Sequence, residues 1–284
     1  MSELERRTLL GAAGLGAIAA MSKAGPLNPP AGPVAGTGRT LDEVYDRIPV
    51  VGAADGRIPI GGGSSSSTRV ISSPGSYVLT GNLSSSAHAA TLMLAAQNIT
   101  LDLNGFTVSN TADNTGNPGI AIGLDQSQIT VRNGRVLSNF GYGVQTVNLF
   151  RSSLLLEDLR VESYGIAGIS LQTFGATVRR CRIDAPVASP PAANPRGLFV
   201  IGSLCLLDEC CVTCSSIPMS TFRAIDVTGN GHTVSRCTAL CGTAGGGGLG
   251  LRLDGQIAYR DNTVVNFGTP YSGTNGAGSG GGNV

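Results

Sequence analysis

The sequence predicts an all-β fold, a parallel β-helix of about seven to eight coils. Three observations predict it. A short phrase recurs along the chain: Gln128-Ile-Thr-Val-Arg-Asn-Gly-Arg-Val136 has an earlier copy at Ile99–Val108 and later ones ending at Val161, Ile183, Val212, Ala239 and Val264. These closing aliphatics lie 22 to 29 residues apart, the length of one coil of two or three short strands and well below the ~40 residues of a propeller blade. A second apolar segment precedes each copy, as at Gly119-Ile-Ala-Ile122, Gly168-Ile-Ser-Leu171, Ala224-Ile-Asp-Val227 and Gly250-Leu-Arg-Leu253. Finally, Gly makes up 42 of 284 residues, aromatics are 5% and Trp is absent, which suits short strands and tight turns better than helices.

In chain order, residues 1–24 resemble a twin-arginine (Tat) signal peptide. Arg6-Arg7 precedes the small, apolar run Gly11–Ala20, which is shorter than the ~20 apolar residues of a spanning helix. The expectation is export without an integral membrane segment. Residues 25–69 read as a linker with a capping helix over 40–48. Thr40 and Glu43 make a capping box, Leu41, Val44, Tyr45 and Ile48 share one face, and Pro49 ends the run. Such a helix would cover an open strand edge. Gly61–Ser67 reads as a flexible loop, residues 70–267 as the β-helix, and 268–284 as a disordered Gly-rich tail.

Stacking the copies makes columns. Leu101, Val131, Leu156, Val178, Leu207 and Val234 point inward, with Tyr259 as the departure. The next two positions read Arg132, Glu157, Arg179, Asp208, Ser235, Arg260 and Asn133, Asp158, Arg180, Glu209, Arg236, Asp261. Where both neighbours are charged the sign alternates, so adjacent coils attract in one register only. Cys181, Cys210 and Cys237 fall in one column and Cys214 and Cys241 in another. Seven cysteines, an odd number, fit buried thiols better than a disulfide framework. The net charge of +1 without a basic patch argues against a nucleic-acid partner.

At Asn98-Ile-Thr-Leu-Asp-Leu-Asn-Gly-Phe-Thr107, Pro74–Asn82 and Leu27–Gly36 the chain resembles the exported bacterial right-handed parallel β-helix proteins with a pectate-lyase-like fold, which implies a right-handed coil. The resemblance spans about residues 25–267. It implies a polysaccharide or cell-envelope partner and, if the chain is an enzyme, lyase or epimerase chemistry with calcium as a possible cofactor. The family also includes hydrolases and members without an assigned reaction. Here Gly229-Asn-Gly-His-Thr233 has the His of a hydrolase loop without the Gly that follows it; His232 reads as a turn residue.

The outward residues of the upstream strand carry the candidate site. Asp226, Arg252 and Asp254 fall on adjacent coils, where two carboxylates and a guanidinium can supply acid, base or cation-binding chemistry. A salt bridge on a solvated face fits the same residues. Phe199 is placed to stack on a sugar, with Gln145 and Gln172 as further ligand-binding candidates and Asp125 on a more distant coil. No metal-ligand set is evident. The expectation is an exported monomer that binds polysaccharide or a cell-surface partner; a uronate lyase, epimerase or hydrolase and a structural envelope protein are the alternatives.

Overall fold

A computed structural model describes residues 56–86, 89–112, 116–123, 127–139, 141–147, 150–162, 165–184, 194–214, 221–242, 246–274 and 278–284. The leader, most of the linker, the capping helix expected at 40–48, Asp125 and most of the proline-rich insertion after Asp184 lie outside these residues.

The described chain is an all-β parallel solenoid built of three ladders. Side chains alternate in and out along a strand, and each inward column is aliphatic. On the first face the register runs Leu101, Val131, Leu156, Val178, Leu207, Val234, Tyr259. On the second it runs Val108, Val136, Val161, Ile183, Val212, Ala239, Val264. On the third it runs Leu92, Ile120, Val144, Ile169, Leu198, Ile225, Leu251, Tyr271. Apart from the two tyrosines these residues are buried and form one continuous core. The sequence columns are therefore physical columns. A slip of one residue in any strand would turn its aliphatic set to solvent.

The corner between the first and second faces is a column of left-handed residues. Asn104, Asn133, Asp158, Arg180, Glu209, Arg236 and Asp261 all have φ between 50° and 59°. The second charge column is thus the corner itself, even where a strand runs through it at Asn133 and Asp158. Asn and Asp tolerate this conformation; for Arg and Glu it costs roughly 1 kcal/mol or more. Ion pairs between coils offset that cost. Arg180 Nε is 2.8 Å from Asp158 Oδ1, and its guanidinium also meets Glu157; Arg236 Nε is 3.1 Å from Glu209 Oε1, and its guanidinium also meets Asp208.

The ladders run past both expected bounds, and the coil count differs slightly from the seven to eight expected. At the start, Ile58–Ile60 and Gly63–Ser65 are strands where a linker and loop were expected. At the end, Phe267–Thr274 and Gly278–Ser279 continue the third and first faces where a disordered tail was expected. The tail lacks apolar periodicity, but its backbone pairs with the coil beneath it. Gly282 (φ 67°) continues the left-handed corner, and Asn283 Oδ1 accepts from Asn262 Nδ2 at 3.1 Å. Tyr259 and Tyr271, with ring centroids 6.1 Å apart, plug the core below it. The Tyr271 hydroxyl reaches the carbonyls of Asn262 and Val284 at 3.1 and 3.0 Å. Tyr259 departs from its aliphatic column where only the short strand Gly278–Ser279 stacks above it.

Candidate functional site: an arginine cluster on the third face

The third face is built from the strands Ala167–Arg179, Arg196–Ser203, Arg223–Asn230 and Gly246–Asp254, among others. Register places Gln145, Ser170, Phe199, Asp226 and Arg252 in one outward column. A parallel column two residues on holds Gln172, Ile201, Thr228 and Asp254.

Asp226, Arg252 and Asp254 come together as the pattern requires. Arg252 Nη1 donates to Asp226 Oδ1 at 3.1 Å, and its Nη2 donates to Asp254 Oδ2 at 2.8 Å. The geometry changes the role of Asp226, however. Its side chain is fully buried, 0% exposed, beneath three guanidiniums. Arg223 Nη1 donates to Oδ2 at 2.9 Å. Arg196 Nε lies 3.2 Å from Oδ2 but is not aimed at it; that buried N–H makes an ion contact without a hydrogen bond. A carboxylate enclosed in this way is a counter-ion. It has no open position for a substrate proton, and its oxygens do not fit a calcium ion, which needs several free oxygen ligands. Among the described residues no three His, Cys, Asp or Glu groups converge as a metal site.

Phe199 is also used internally. Its ring is 9% exposed, and the Arg196 guanidinium lies 3.7 Å above the ring centroid, a cation–π contact that covers the face a sugar would need. Gln145 and Gln172 are half-buried on the same face, and the Gln172 backbone N–H donates to Thr146 Oγ1 at 2.7 Å.

Arg196 and Arg223 were not among the sequence candidates. They occupy the same register position on adjacent coils, immediately before the apolar segments that mark this strand. Two arginines at one position of neighbouring copies is the signal that identifies them. Burial, set against the attraction of Asp226 and reinforced by Arg223 and Arg252, pulls the Arg196 guanidinium below its ordinary range. Counted as ionised groups, three guanidiniums face two carboxylates, which leaves one positive charge in excess. The arginines are 24–30% exposed, so each side chain is partly open to solvent.

The remaining candidates are structural. Cys181, Cys210 and Cys237 are buried thiols in one column. The Cys181 and Cys237 thiols are pushed up, first by hydrogen bonding with Cys210 and then by burial, which makes them poor nucleophiles. Cys214 and Cys241 are in register and buried. His232 starts the strand His232–Ser235, directly after the left-handed Gly231 (φ 70°). Its Nδ1 accepts the Cys205 backbone N–H at 3.2 Å, and its Nε2 faces the Gly202 and Thr228 carbonyls at 3.1 and 3.3 Å. These partners assign the neutral Nε2–H tautomer, and burial pulls its pKa down.

No helix among the described residues is long and apolar enough to cross a membrane. No family model matches the chain, and no curated protein matches it. Among solved structures it is similar to the enzymatically active domain of tailspike protein 2 of bacteriophage CBA120, at 11% identity and a TM-score of 0.42, over 79% of this chain and 43% of that one. The chain thus spans less than half the length of that tailspike chain.

Proposed function

We propose that this chain is an exported, right-handed β-helix of the bacterial pectate-lyase-like kind, and that it binds an extended polysaccharide or cell-envelope component along its third face. The carrying observation is that face. It presents in-register columns of outward residues, among them the half-buried Gln145, Gln172, Thr228 and Asp254, on strands ~4.8 Å apart. A regular, polar, extended surface suits a linear polymer of repeating units. Binding is favoured over lyase, epimerase or hydrolase chemistry because the candidate acid, Asp226, is sealed under three arginines. Export is supported by Arg6-Arg7 and the apolar run after them. The protein acts as a monomer.

Affinity electrophoresis of the purified chain through gels containing neutral and acidic polysaccharides tests this reading. Retardation by at least one polymer, without release of reducing ends or unsaturated products, is expected. Mobility unchanged in every polymer would remove the binding function, and product formation would show catalysis.

A further inference from the structure

The three arginines do more than neutralise Asp226. One carboxylate cannot use the donors of three guanidiniums, which carry five N–H groups each. Asp226 Oδ1 takes one bond from Arg252 and Oδ2 takes one from Arg223. Arg196 Nε, buried within the cluster, donates to nothing. Asp254 offsets a single further charge through Arg252. The Arg196 guanidinium is fixed over Phe199, and Arg223 and Arg252 are tethered by their bonds to Asp226. The forks are therefore ordered before any ligand arrives. Preorganised forks lose little side-chain entropy on binding.

We infer that Arg196, Arg223 and Arg252 form a receptor for an oxyanion carried on the bound polymer, with Asp226 as the buried counter-ion that holds the three forks together. This rests on the polysaccharide-binding reading and narrows its ligand to a glycan bearing carboxylate, sulfate or phosphate groups. Guanidinium forks match the planar or tetrahedral oxygens of all three, and such charge-assisted bonds are the stronger kind. The excess positive charge becomes neutral only when such a group docks. A neutral polymer would leave both the charge and the spare donors unanswered.

The test uses the full chain with four probes: polygalacturonate, dextran sulfate, a glycerol-phosphate polymer and neutral dextran. Binding is measured by calorimetry at two salt concentrations. At least one anionic polymer is expected to bind ten-fold or more tighter than dextran, with affinity falling as salt rises. The arm that binds identifies the anion. Arg196→Gln with Arg223→Gln should weaken that binding at least ten-fold and flatten its salt dependence. Arg223→Lys, which keeps the charge without the fork, should retain the salt dependence with an intermediate loss. Thermal unfolding of each variant verifies that it is folded; if the double variant unfolds, the single Arg223→Gln and Arg223→Lys variants decide. Dextran binding as tightly as the anionic polymers, or tight anionic binding that survives the folded Gln variants, would overturn the receptor while leaving polysaccharide binding intact. No binding to any of the four would defeat both.

Discussion

The corner of the first face and the arginine cluster of the third face use the same device to different ends. At the corner, charges are shared nearly evenly. Glu157 and Asp158 of one coil face Arg179 and Arg180 of the next, and Asp208 and Glu209 face Arg236. The Arg180–Asp158 and Arg236–Glu209 pairs are open to water and contribute ~0.2–1 kcal/mol each, whereas Glu157 is itself buried. Their value lies in holding register, since a slip would set like charges together. On the third face one fully buried carboxylate is shared by three arginines. Register alone does not require three cations gathered on one buried acid. Pairs repeated from coil to coil point to assembly, and a preorganised cluster of forks around one buried counter-ion points to a ligand.

The sharpest way to break this comparison is to remove an acid from each region. Asp226→Asn should lower the free energy of urea unfolding by about 3 kcal/mol, because it leaves three guanidiniums crowded without a counter-ion. Glu209→Gln, at an exposed corner position, should lower it by about 1 kcal/mol or less. Equal losses would erase the distinction. Next in size is Asn262→Ala, which removes the acceptor of the Cys237 backbone N–H at 2.9 Å and the link to Asn283; a loss of ~1–3 kcal/mol is expected. Such a loss would show that the C-terminal tail is part of the folded unit. A smaller effect comes from His232. Its folded pKa is depressed, so its contribution to stability is present in full above the unfolded value of about 6.5. That contribution is lost as pH falls below 6.5 toward the folded value. Thermal unfolding from pH 8 to 5 should show this slope, and His232→Gln should flatten it. The smallest effect is expected for Leu204→Gly. Leu204 is 70% exposed at φ 58°, and relief of the left-handed strain, set against the chain entropy of glycine, should stabilise by about 0.5 kcal/mol.

Much of the fold was legible in the sequence because burial imposes one simple rule on every coil. Leu101 through Val234 had to be aliphatic, and their spacing gave the register residue by residue. The corner was less legible. Asn104 and Asn133 hint at a left-handed turn, but Arg180, Glu209 and Arg236 stand where propensity would put Gly or Asn, because ion pairs override it. The tail was hidden because glycine carries no apolar pattern and its order comes from backbone pairing. In the candidate site, Asp226, Arg252 and Asp254 could be brought together from periodicity alone. Burial of Asp226 could not, since it depends on Arg196 and Arg223 folding over it from the head of the strand. For the same reason Phe199, exposed by its place in the column, is occupied by Arg196.

Every one of these assignments depends on like positions of successive coils lying directly above one another. Long-wavelength anomalous diffraction, which locates sulfur atoms without reference to any coordinates, tests this most directly at Cys181, Cys210 and Cys237. A straight row of three sulfurs, spaced by about one strand separation of ~4.8 Å, is the predicted result. Sulfurs scattered across the molecule, or two of them joined in a disulfide with the third elsewhere, would contradict it.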